Sequence, residues 1–210
     1  LRDFNHDGKK DIFSYVSGGI GVWVNTSNGS EISFNQLTFT NYTTNTQDPY
    51  MLSYQFGNQT NLFVSKVDIP DINDIDGDGD LDVLTFGVLG SRIEYHQNFS
   101  IENGHGFDSL TYEIKNACWG HFLETGFNTN TCELFDTCTS NVANPHIPIS
   151  NNEKHSGSTI LSLNLNNDTV KDLILGDVSF SNLVALYNDN TGVNANTSFI
   201  SQDTIFPSNT

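Results

Sequence analysis

Three times along the 210 residues, a nine-residue loop that opens on Asp or Asn and closes on Asp runs straight into a short apolar stretch. The first copy is Asp3-Phe4-Asn5-His6-Asp7-Gly8-Lys9-Lys10-Asp11, followed by Ile12-Phe13-Ser14-Tyr15-Val16. The second is Asp74-Ile75-Asp76-Gly77-Asp78-Gly79-Asp80-Leu81-Asp82, followed by Val83-Leu84-Thr85-Phe86-Gly87. The third is Asn164-Leu165-Asn166-Asn167-Asp168-Thr169-Val170-Lys171-Asp172, followed by Leu173-Ile174-Leu175-Gly176. Beyond each comes a Gly- or Ser-rich turn and a second stretch that ends in Asn, over 20–25, 93–98 and 183–188. Each unit therefore reads as loop, strand, tight turn, strand. Apolar runs directly after the loops predict strands buried on both faces, and the alternating second stretches predict strands with one buried face.

The remaining composition agrees with an all-β chain. Fifteen Phe and seven Tyr supply core material. Asn, Thr, Ser and Gly are abundant and Lys, Arg and Glu scarce, which suits short strands and many turns better than long helices. Further strands are expected over 32–39 and 62–67, and before the second and third loops over 67–72 and 160–163. Residues 104–158 hold Cys118, Cys132, Cys138, Trp119 and most of the histidines. They are expected to be strands interrupted by a long surface insertion. Cys132 and Cys138 close a short loop that a disulfide can staple, leaving one cysteine over. No CxxC or paired-His spacing accompanies the three, which argues against zinc.

The loops carry a specific chemistry. Side-chain oxygens at positions 1, 3 and 5 face one side of a tightly curled backbone, position 7 can add its carbonyl, and the Asp at position 9 can close the sphere. Six to eight oxygens at about 2.3–2.6 Å suit Ca2+. The expected ligands are Asp3, Asn5, Asp7, Lys9 and Asp11 in the first loop. They are Asp74, Asp76, Asp78, Asp80 and Asp82 in the second, and Asn164, Asn166, Asp168, Val170 and Asp172 in the third. The second loop is the most acidic and the best site. The third lacks a glycine at position 6, and Thr169 is expected to meet a positive φ there at about 1 kcal/mol. An EF-hand is excluded, because position 12 is Ser14, Thr85 or Leu175 instead of an acid.

On these residues the chain resembles the FG-GAP/VCBS repeat family, the unit of the integrin α-subunit propeller and of many bacterial surface proteins. The likeness covers the three loop-and-strand cores; the Phe86-Gly87 and Leu175-Gly176 tails match loosely. It implies a calcium-binding β-propeller, all of 1–210 forming one segment of about three blades, with calcium between the first two strands of a blade. It also implies a secreted or cell-surface location and a protein or glycan ligand held at one propeller face. Known propellers of this kind have about seven blades. The remaining blades are therefore expected from a longer protein or a partner chain.

Charge limits the partners. With 8 Lys+Arg against 25 Asp+Glu the net charge is -17, which repels nucleic acid and anionic lipid. No stretch approaches the roughly 18 apolar residues of a membrane span. The six histidines, His6, His96, His105, His121, His146 and His155, lack zinc spacing and are expected in turns or at the surface. No nucleophile or nucleotide fingerprint is present, so a non-enzymatic binding, adhesion or scaffolding module is expected. The alternative is an ancillary or catalytic propeller of a secreted polysaccharide-degrading enzyme, for which Glu94, Glu102, Glu113, Glu124 and Glu133 are the candidate acids. The sequons at Asn25, Asn41 and Asn98 are read as coincidence in a chain this rich in Asn, Ser and Thr.

Overall fold

A computed structural model describes residues 1–88, 90–125, 129–138, 157–188 and 196–207. The described residues are all-β, with seventeen strands. Their order follows from the loops. Each loop-and-hairpin unit folds into an antiparallel meander, since a short turn can join only antiparallel neighbours.

The first meander is β1 (Ile12–Val16), β2 (Gly19–Asn25) and β3 (Phe34–Gln36). The second is β8 (Asp71–Asn73), β9 (Asp82–Phe86), β10 (Ile93–Asn98) and β11 (Tyr112–Trp119). The third is β14 (Ser158–Leu163), β15 (Asp172–Asp177), β16 (Leu183–Asn188) and β17 (Phe199–Phe206). In all three, the residue before the loop pairs with the Asp that closes it: Arg2 with Asp11, Asn73 with Asp82, Leu163 with Asp172. The second sheet is extended by β6 (Leu52–Gln55) and β7 (Asn58–Asn61), because β6 runs parallel to β11. Two small hairpins complete the set, β4 (Phe39–Asn41) with β5 (Thr46–Asp48), and β12 (Phe122–Glu124) with β13 (Cys132–Leu134).

Two apolar cores separate three sheets. One holds Leu84, Phe86, Ile93, Tyr95 and Trp119 of the middle sheet against Leu173, Leu175, Val184, Leu186 and Phe199 of the third. The other packs Ile20 and Val22 of the first sheet and Met51, Leu62 and Val64 against Ile72, Val83 and Tyr112. Along β9, Val83 faces one core while Leu84 and Phe86 face the other. Among the described residues, only this middle sheet has strands buried throughout, β9 and β10, and that corrects the expectation for the strands after the loops. β9 is buried throughout, whereas β1 exposes Ser14 and Tyr15 and β15 is only partly covered. The same position buries all of β10, where alternation predicted one buried face.

Two other expectations change. The stretch 32–39 divides between β3 and β4. Residues 62–67 form no strand: Leu62 and Val64 are buried plugs whose backbone N–H groups donate to Met51 and Gly18 carbonyls at 3.0 and 2.9 Å. The β6–β7 hairpin turns on Phe56 (φ 51°) and Gly57 (φ 79°), the left-handed pair that a two-residue turn requires. Within 104–158, the described residues supply β11, β12 and β13, and Trp119, Phe122 and Cys132 join the core. Cys118 pairs with Cys138, so the Cys132–Cys138 pairing is corrected and Cys132 is the free, buried thiol. Residues 139–156, with His146 and His155, lie outside the described residues.

Adjacent meanders are stapled through residues 68–73. Ser162 donates from its N–H (2.8 Å) and hydroxyl (2.5 Å) to Asp71 Oδ2, and Asn73 Nδ2 donates to the Ser162 carbonyl. The Arg2 side chain reaches the same place, 3.8 Å from Asp71 Oδ1. A groove of about 500 Å³ runs beside it, lined by Phe13, Tyr15, Ile69 and Leu161 among others.

Candidate metal centre

Each loop is held by its last residue. The carboxylates of Asp11, Asp82 and Asp172 are fully buried. One oxygen of each accepts the N–H of loop position 2: Phe4 at 3.2 Å, Ile75 at 2.9 Å and Leu165 at 2.8 Å. The other accepts the N–H of the Asn ending the next strand: Asn25 at 2.8 Å, Asn98 at 2.8 Å and Asn188 at 3.1 Å. These carboxylates, expected to close a cation's coordination sphere, serve as clamps between loop and hairpin.

The curl of the loops also differs from expectation. Position 4 is left-handed in all three, at His6 (φ 57°), Gly77 (φ 90°) and Asn167 (φ 63°). Position 6 is left-handed only at Gly8 and Gly79, and Thr169 takes no positive φ. The third loop therefore avoids the strain expected at Thr169 and places its left-handed residue at Asn167, a type that tolerates that region.

The second loop gathers acids. Carboxylate oxygens of Asp74, Asp76 and Asp78 lie within 4.8 Å of one another, as do those of Asp78, Asp80 and Glu102. The two groups share Asp78 and can hold a metal ion. Asp80 was expected to offer its backbone carbonyl; its side chain instead is buried, with Oδ2 accepting the Ile101 N–H at 3.2 Å. Asp78 Oδ2 and Asp80 Oδ1 are buried and accept no hydrogen bond among the described residues. Gln97 Nε2 bridges Asp76 Oδ2 (2.7 Å) and Glu102 Oε1 (2.6 Å), and the Tyr95 hydroxyl donates to Asp76 and Asp82 at 3.4 and 3.3 Å.

Crowded, half-dry carboxylates resist ionisation. Burial above all, then the charges of Asp78, Glu102 and Asp76, push Asp80 up to about 7. Burial, then Asp76 and Asp80, push Asp82 up to about 8 against the opposing Asn98 and Ile75 N–H groups. Asp76 is raised by burial and by Asp78, Glu102 and Asp74. Burial and the Asp82 and Asp76 charges also raise Tyr95.

The other two loops do not gather acids in this way among the described residues. In the first, Asp3 accepts the Asp7 and Gly8 N–H groups, Asp7 accepts the Lys9 N–H, and Lys9 Nζ stands 3.9 Å from Asp7 Oδ2. Asn5 accepts the Asp7 N–H at 3.3 Å. In the third, Asn166 accepts the Asp168 N–H, Asp168 Oδ1 accepts the Val170 N–H, and Asn164 donates to the Asp168 carbonyl. His6 stacks on Phe107, 3.8 Å between centroids, and Phe107 also lies against Gly79. One aromatic ring thus touches the first and second loops.

The remaining candidates separate in space. His96 is buried, contrary to the surface expectation, between Ser53 Oγ (2.8 Å) and Glu94 Oε2 (3.5 Å). Glu124 accepts the Ser158 hydroxyl at 2.9 Å, Glu102 belongs to the acid group, and Glu113 and Glu133 are exposed. Asn41 and Asn98 of the sequons are buried. Glu102 was not among the expected loop ligands; only the fold brings its carboxylate to Asp78 and Asp80. No protein-family model, curated protein or solved structure matches the chain. Among the described residues no helix is long and apolar enough to cross a membrane.

Proposed function

We propose that this chain is a calcium-stabilised binding or scaffolding module of a larger secreted or cell-surface protein, built from FG-GAP/VCBS-type propeller blades. The observation that carries the reading is the common construction of the three loops. Each precedes the first strand of a hairpin, and each is closed by a buried Asp bonded to the second loop residue and to the next strand's terminal Asn. Face-to-face stacking of the meanders on two cores supports adjacent blades. The oxygen-only donor set of the second loop favours a hard cation, and calcium is abundant outside cells. Its role is structural, and ligands of protein or glycan type bind on loops at one face.

Calcium titration of the stripped chain, followed by thermal melting, tests this. Calcium at a hundredfold excess over its dissociation constant stabilises by about 2.7 kcal/mol. Asp78→Ala removes most of that gain and Asp168→Ala leaves most of it. Identical melting in calcium and in chelator sinks the reading.

A further inference from the structure

We infer that the second loop holds a divalent cation at an inner position, on Asp78, Asp80 and Glu102, so that one ligand comes from outside the loop. The inference rests on the calcium reading above and adds a ligand set to it. Three observations carry it. The carboxylate oxygens of these residues lie within 4.8 Å of one another. Oxygens on opposite sides of a calcium ion stand about 4.6–5.2 Å apart, twice the metal–oxygen distance, so the spacing fits one shared ion. Asp80 is 1% exposed, and its Oδ1 and Asp78 Oδ2 are buried without a hydrogen bond among the described residues. Buried carboxylate oxygens are costly unless something positive meets them.

The neighbouring groups orient the set. Asp78 Oδ1 accepts the Asp80 N–H at 3.0 Å and Asp80 Oδ2 accepts the Ile101 N–H at 3.2 Å, which leaves the second oxygen of each for the ion. Gln97 Nε2 holds Glu102 at 2.6 Å. The Gln97 amide oxygen is also buried and accepts no hydrogen bond among the described residues. A cation here does what one at positions 1, 3 and 5 cannot: it binds the loop to the connection between β10 and β11.

The test is calorimetric titration of calcium into the stripped full chain, comparing wild type with Glu102→Gln and Asp108→Asn. Glu102 is exposed, and Gln preserves an acceptor for Gln97, so the fold is retained. Asp108→Asn removes the same charge from the same connection without touching the acid group. Glu102→Gln is expected to weaken calcium binding by at least about tenfold or to delete one equivalent, with Asp108→Asn within about twofold of wild type. A Glu102→Gln titration that overlays wild type overturns the inference and leaves the calcium reading standing. Equal weakening by Asp108→Asn overturns it as well, since bulk charge then explains the loss. Wild-type protein that takes up no calcium removes both.

Discussion

Asp82 and Asn98 are joined by a buried hydrogen bond of 2.8 Å from the Asn98 backbone N–H to Asp82 Oδ1, which ties the mouth of the acidic loop to the far end of its hairpin. The same bond joins Asp11 to Asn25 and Asp172 to Asn188. Its role should be separable from metal binding. Replacing Asp172 by Ala leaves two backbone N–H groups without acceptors, at about 1–3 kcal/mol each. Urea denaturation of Asp172→Ala should show a loss of about 2–6 kcal/mol, equal in calcium and in chelator. A loss that appears only in calcium would mean that Asp172 acts as a ligand.

Stability without calcium should fall as pH rises. Asp80 and Asp82 are raised to about 7 and about 8 in the fold, above the unfolded value near 4. The folded chain therefore binds more protons than the unfolded one between those limits. This contribution is fully present below about pH 4 and is lost as pH climbs through about 8. Urea midpoints of stripped protein should drop between pH 5 and pH 8.5. Saturating calcium should abolish or reverse that drop, because it holds the carboxylates ionised.

The cysteines should behave unequally. Cys118–Cys138 closes a loop with sequence separation 20, and its reduction should cost about 3 kcal/mol. Cys132 is buried and its thiol pushed up, chiefly by burial. Mass spectrometry after alkylation should find no label on the native oxidised chain and one after denaturation. Labelling of native Cys132 would show that its part of the core opens readily.

The repeated loops, their hairpins and the all-β class were legible because they are local: each signal lies within about twenty-five residues of chain. The partnership of Asp82 with Asn98 was half visible, as two recurring residues with no sign that they meet. The place of Glu102 beside Asp78 and Asp80 was invisible because the residues meet only after β9 and β10 fold back on each other. Burial of His96, and of β10 as a whole, depends on a sheet packed against each face of the middle meander, which no single strand can encode. The Cys118–Cys138 pairing escaped for a related reason. Short spacing pointed to Cys132, but β13 turns that residue into the core.

Among the described residues, β9 and β10 at the centre of the middle meander have no free face. Val83 belongs to one apolar core and Leu84, its neighbour, to the other. Peeling away either outer sheet would wet one side of β9 and leave the other side holding half the original contact. The three sheets should thus lose structure in a single cooperative transition, and limited proteolysis should find no stable fragment that keeps β9 but lacks β2 or β15.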